Sequence, residues 1–164
     1  MRTMNIMRSL LALVLFLGLS GQALCQDTFP VVVNGKTLDI GAASNRTSLE
    51  AALTSALPSE EPSLAAPERL QYDFQAVPDQ GPVTLAFDFG PGGRFEGLTI
   101  DASLKEQNPV AAGLAAWLGA KAGKGVRKGQ DTVWTYAGFE FLLTETKDAG
   151  EDSMYAMAII RKGP

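Results

Sequence analysis

Carboxylates are the side chains in this sequence plentiful enough to suggest catalysis. Asp88, Glu96, Asp101, Glu140 and Glu145 fall on or beside segments of strand character, and a glycosidase-type reaction needs two carboxylates facing each other across a cleft. Their spacing favours no pair over another, and solvent-facing strand positions also carry charge, so no catalytic residue is assigned. The chain has no histidine. Ser-His-Asp and Cys-His catalysis in their usual forms, and His-containing zinc or copper sites, are thereby excluded. Asp148, Glu151 and Asp152 flank Gly150 without the alternate-position oxygens of a calcium loop, so they read as a polar turn. We expect no metal and no cofactor.

Two clusters could bind rather than react. Lys121, Lys124, Arg127 and Lys128 lie within eight positions. They form either a patch for phosphate, anionic lipid or an acidic partner, or a set of cations favoured by the negative end of a helix dipole. The neighbouring Gly119, Gly123, Gly125 and Gly129 fit neither nucleotide-loop spacing and follow a helix instead of preceding one. Trp134 and Tyr136 share one face of a strand, with Phe139 and Phe141 alternating on the next. If that face points away from the helices it is a rigid aromatic binding surface; if it points toward them it is core. Tyr155 poses the same question, because Met154 to Ile160 is apolar on both faces and should be a well-covered strand. Asn45-Arg46-Thr47 matches the N-glycosylation pattern, which matters only in a eukaryotic secretory pathway.

The N-terminus reads as an address. Arg2 and Arg8 precede an apolar run from Leu10 to Leu19 that contains Gly18, and Ala23 and Cys25 supply small residues for a cut before Gln26. Gly21 and Ala23 would serve for a cut before Leu24. The run is about half the ~20 residues needed to span a bilayer, and Leu24 is the wrong residue to precede a lipid-modified cysteine. We expect a cleavable signal over residues 1–25 and one domain over 26–164, periplasmic or secreted, with no membrane span after the signal is removed. Cys25, the sole cysteine, leaves with the signal, so no disulfide framework is available. The remaining chain has 12 basic and 18 acidic residues, a net charge of −6. That balance argues against nucleic acid as the main partner.

Local signals outline the elements. Val31, Val32 and Val33, then Asn34-Gly35, then Thr37, Leu38 and Ile40 predict a hairpin. Thr47 with Glu50 suggests a capping box for a helix carrying Leu49, Leu53 and Leu57, ended by Pro58. The proline-rich stretch 58–67 reads as a loop. Three strands follow: one carrying Tyr72, Phe74 and Ala76, one alternating Val83, Leu85, Phe87 and Phe89, and one from Phe95 to Ile100 after a Pro91-Gly92-Gly93 turn. Asn108-Pro109 opens a second helix with Val110, Leu114, Trp117 and Leu118 on its apolar face. Thr132 to Ala137, Phe139 to Thr146 and Met154 to Arg161 complete the set.

The order helix-strand-strand-strand thus occurs twice, with first strands about 25 residues and third strands about 46 to 48 residues after each cap. We expect an α+β fold: a single antiparallel sheet with two helices on one face, built from tandem α-β-β-β units after an N-terminal hairpin. This layout is similar to the tandem arrangement of secreted β-lactamase inhibitor proteins. The likeness is carried by element order, not by a motif, and implies fold alone. Export, small size and the missing catalytic constellation favour a non-enzymatic binding protein acting on another envelope or secreted protein, as inhibitor or immunity-type protein. The alternatives are a carrier of a small apolar or anionic ligand, which needs a cavity of a few hundred cubic ångströms, and a carboxylate-dependent hydrolase.

Overall fold

A computed structural model describes residues 27–146 and 154–163. The expected export signal, its cleavage site at Cys25 and Gln26, and the acidic turn around Gly150 lie outside them.

The chain opens as the expected hairpin. Strands β1 (Thr28–Val33) and β2 (Lys36–Gly41) pair antiparallel, closed by Val33 opposite Lys36. Asn34 and Gly35 both have positive φ, 49° and 75°, which a two-residue turn matched to strand twist requires. Phe29, Val31, Val33, Leu38 and Ile40 point inward and are buried, while Val32 points out. Helix α1 (Arg46–Ala56) follows, and its cap differs from expectation. Asn45, not Thr47, is the N-cap: its side-chain oxygen accepts from the Ser48 amide, and the Ser48 hydroxyl accepts from the Asn45 amide. The cap must be extended, and Asn45 is, at φ −139°. Thr47 and Glu50 are already inside the helix, where Glu50 meets Arg46 at 3.7 Å.

Eight strands form the main sheet: β3 (Leu64–Ala66), β4 (Arg69–Phe74), β5 (Val83–Phe89), β6 (Phe95–Ala102), β7 (Val126–Lys128), β8 (Asp131–Tyr136), β9 (Phe139–Glu145) and β10 (Tyr155–Arg161). Helix α2 (Pro109–Ala122) separates β6 from β7. The spatial order is β3-β4-β5-β6-β10-β9-β8-β7, antiparallel throughout. Outward from the β6–β10 seam, each side reads fourth, third, second and first strand of its own unit. The two units are thus related by a pseudo-two-fold axis through the seam. Each has four strands, one more than expected, because β3 lies within the stretch read as a loop and β7 within the glycine-rich turn. Both are three-residue edge strands, too short for an alternation signal.

Register makes the relation residue-specific. The row Leu64, Gln71, Ala86, Thr99, Ala158, Leu142, Val133, Val126 runs straight across the sheet. Rotation about its centre exchanges Thr99 with Ala158, Ala86 with Leu142, Gln71 with Val133 and Leu64 with Val126. The seam itself needs a glycine: a Cβ on Gly97 would stand 2.8 Å from the Ile159 carbonyl oxygen.

One face of this sheet holds the core. Leu70, Tyr72, Phe74, Leu85, Phe87, Leu98, Ile100, Phe139, Phe141, Met157 and Ile159 are all buried there. Leu49 and Leu53 of α1, Leu114 and Leu118 of α2, and the inner side of the hairpin cover them. Both helices therefore lie on one face. Phe29 of the hairpin sits at the centre, with ring centroids 5.0 Å from Phe141, 5.3 Å from Phe139 and 6.5 Å from Phe95. Asn108 fastens α2 to β10: its amide nitrogen donates to the Tyr155 carbonyl at 3.0 Å, and its oxygen caps the Ala111 amide at 3.0 Å. Phe29→Ala should lower stability by ~3–5 kcal/mol, as large-to-small changes of a fully buried aromatic do. A urea midpoint little changed from the parent would contradict this placement.

Candidate functional site

The pleat of β8 and β9 decides where the aromatic candidates go. Trp134 stands opposite Phe141 and Tyr136 opposite Phe139, so all four share the core face. Trp134 is 9% exposed, and its indole N–H donates to the Gly123 carbonyl at 3.1 Å. Tyr136 packs edge-on against Trp117 of α2, centroids 5.1 Å apart. Tyr155 is buried on the same side under the Lys105 ammonium, and burial, reinforced by Glu145, raises its phenol pKa above 10.0. These three residues seal α2 to the sheet and do not form an exposed aromatic surface.

The basic cluster does not converge. Lys121 ends α2 and Lys124 occupies the following turn; both are exposed. Arg127 and Lys128 are adjacent on β7, so the pleat sends them to opposite faces. Arg127 donates to the Gly129 carbonyl at 3.0 Å, while Lys128 pairs in register with Asp131. Of the carboxylates, Glu96 is bound by Arg94 at 2.6 Å and Glu145 lies opposite Tyr155 on the core side. Asp88, Asp101 and Glu140 stand on the other face of the sheet. Among the described residues, no group of three or more acidic side chains is arranged to hold a metal ion.

That other face carries no helix among the described residues, and it is the candidate site. One row runs Asp73, Thr84, Asp101, Ala156, Thr144, Asp131 and Lys128. Thr84 donates to Asp73 and Thr144 to Asp131, each at 2.6 Å. Hydrogen bonds from Ser63, Thr84 and Gln71 outweigh partial burial and hold the Asp73 carboxyl below its ordinary 3.8. The opposite flank holds two ion pairs, Arg69–Asp88 at 3.3 Å and Glu140–Lys162 at 3.7 Å. Between them, the half belonging to β10, β9, β8 and β7 is aliphatic: Ala158, Leu142, Val133 and Val126, with Ile160 and Ala156 beside them. Val126 is 62% and Ile160 53% exposed, whereas Val133 is already buried.

Two helices on one face of the sheet already implied a free face, but sequence reasoning did not find the residues that line it, although one signal for them was present. Strand β10 is apolar on both faces, which suggested cover on both sides; the structure covers Tyr155, Met157 and Ile159 and leaves Ile160 exposed. The described recesses lie elsewhere. One of ~260 Å³ sits by the hairpin turn, lined by Val32, Asn34, Phe74, Ala76 and Val110 among others, and a 190 Å³ neighbour shares Asn34 and Phe74. An open 620 Å³ depression adjoins Asn45, Arg46 and Gly93 at the start of α1. No helix among the described residues is long and apolar enough to cross a membrane.

Comparison with known protein families, with curated proteins and with solved structures returned no match.

The Asp73 network generates a pH prediction. A carboxylate whose pKa is depressed by folding stabilises the fold above its unfolded value and loses that contribution as pH falls through its folded value. Asp73→Asn should therefore cost about 1 kcal/mol near neutrality and flatten the acid limb of the stability curve below about pH 4. Thermal melts of both proteins from neutral to acid pH check this; parallel curves would contradict it.

Proposed function

We propose that this protein is a non-enzymatic binding protein that acts by protein–protein contact through the open face of its eight-stranded sheet. Inhibitor or immunity-type roles in the periplasm or secreted space fit it best.

The observation that carries this reading is a difference between two halves with one architecture. Where the units face the core, equivalent positions agree in character: Tyr72 matches Trp134, Phe74 matches Tyr136, Leu85 matches Phe141 and Ile100 matches Ile159. On the open face three of them diverge: Gln71 of the first unit corresponds to Val133 of the second, Thr99 to Ala158, and Asp101 to Ile160, whereas Ala86 with Leu142 and Leu64 with Val126 are apolar in both. The fold tolerates polar residues at these positions, so packing does not require the aliphatic ones. Ile160 and Val126 are exposed and Leu142 and Ala158 half-buried, and aliphatic side chains grouped on one face and rimmed by polar residues are the usual mark of an interaction site.

The two alternatives draw less support. A carrier needs space between sheet and helices; the Phe29 cluster fills the centre of that layer and leaves the ~260 Å³ recess by the hairpin turn at its margin. A hydrolase needs carboxylates facing each other across a cleft, whereas Asp73, Asp88, Asp101, Asp131 and Glu140 stand side by side on an open sheet.

Cross-linking of the purified protein in the envelope or secreted fraction of its own organism tests the proposal. The parent should capture a saturable partner, and Ile160→Asp should weaken capture at least about tenfold, the effect of losing a central contact of roughly 1.4 kcal/mol or more. Leu104→Asp, at an apolar residue 44% exposed outside the sheet, should leave capture unchanged. Absence of a saturable partner, or equal loss in both variants, would overturn the proposal.

A further inference from the structure

Taking the open face as the contact surface, we infer that its partner is a cationic amphipathic segment, an aliphatic ridge flanked by Lys or Arg, and not a second copy of this chain.

Charge on the face supports this. Five carboxylates, Asp73, Asp88, Asp101, Asp131 and Glu140, stand there against three cations, Arg69 and Lys128 by register and Lys162 from just beyond β10. Arg69 is engaged with Asp88, and Glu140 is held by Lys162. Asp73, Asp101 and Asp131 have no basic ion-pair partner among the described residues, and all three lie in one row. The aliphatic row Ala158, Leu142, Val133, Val126 is the next row over, two residues along each strand, or about 7 Å away.

A line of negative charge thus runs parallel to a line of apolar surface. A partner that buries the aliphatic row brings its flank over the carboxylates, where like charge is unfavourable and Lys or Arg is favoured. A second copy meeting this one face to face would bring more carboxylates to the same contact. The free edges do not offer an easier attachment. Both are three-residue strands, β3 set between Pro62 and Pro67 and β7 carrying Arg127 and Lys128, features that discourage strand addition. From Asp101 on β6 to Val126 on β7 the two rows cross five strands, about 19 Å at ordinary strand spacing. A helix of about 13 residues covers that length.

The test titrates the full chain with three synthetic 14-residue peptides: an amphipathic Leu/Lys helix, its Leu/Glu counterpart, and a scrambled Leu/Lys sequence of the same composition. The ordered Leu/Lys peptide should bind at least about tenfold tighter than either control, and binding should weaken as salt rises. Ile160→Lys and Asp101→Lys should each reduce affinity at least about fivefold, while Glu50→Lys on α1, an identical charge change to Asp101→Lys, should alter it less than about twofold. Circular dichroism and melting confirm that each variant folds. Equal binding of ordered and scrambled peptides, preference for Leu/Glu, absence of binding, or loss with Glu50→Lys equal to that with Asp101→Lys would overturn the inference. So would a concentration-dependent dimer in sedimentation that Ile160→Lys abolishes. If these arms fail while Ile160→Asp still abolishes partner capture, the face is retained and only the proposed partner chemistry is lost.

Discussion

The seating of Phe29 among Phe95, Phe139 and Phe141 is the contact on which the remaining architecture depends. An eight-stranded sheet with two helices of 11 and 14 residues has more core face than those helices can cover. The hairpin fills the gap, and Phe29 drives it into the centre, where rings from both units converge. Because Phe95 belongs to β6 and Phe139 and Phe141 to β9, a single side chain ties the first unit to the second. Burial of this kind is the dominant favourable term in folding. Among the described residues all of the helical and hairpin cover is used on one side, and that leaves the other side open.

The seam supplies the second constraint. β6 and β10 are the last strands of their units, and they pair to make one continuous sheet. Close approach at Gly97 brings the Ile159 carbonyl to a distance that a methyl group would forbid. A β-bulge at Glu96, where Phe89 faces Phe95 but Asp88 faces Gly97, lets Phe95 turn to the core while Gly97 stays on the open side. The bulge also frees Glu96 to reach Arg94. Local backbone irregularity thus places the aromatic that Phe29 needs without disturbing the rows on either side.

Much of this was legible in the sequence because it is written in local periodicity. The Asn34-Gly35 turn, the alternation of β5, the Asn108-Pro109 helix start and the doubled order of elements each depend on neighbours along the chain. What was not legible depends on contacts across it. Leu64-Ala65-Ala66 and Val126-Arg127-Lys128 become strands because β4 and β8 offer free edges, and three residues carry no period. The choice of Asn45 over Thr47 as cap depends on where the chain leaves β2. The direction of Trp134 and Tyr136 follows from the register of β8 on β9, since alternation separates two faces without saying which one the helices cover. Strand β10 illustrates the general difficulty: a strand apolar on both faces reads the same whether its second face is covered within the chain or left open.

That ambiguity is resolved by the internal symmetry. In an isolated sheet, the exposure of Ile160 and Val126 would be a minor departure, since scattered apolar surface is ordinary. Here the first unit acts as a reference with the same strand lengths and the same register. Its matching positions hold Asp101 for Ile160, Thr99 for Ala158 and Gln71 for Val133, while Leu64 matches Val126 as a second exposed aliphatic, and an ion pair, Arg69–Asp88, stands where the second unit has the Thr144–Asp131 hydrogen bond. Packing demands are met by both sets, so they do not account for the difference. The aliphatic side chains of the second unit are then best understood through what approaches from solvent. The acidic row beside them, anchored at Asp73 by three hydrogen bonds and at Asp131 by one, sets the sign of charge that the approaching surface must bring.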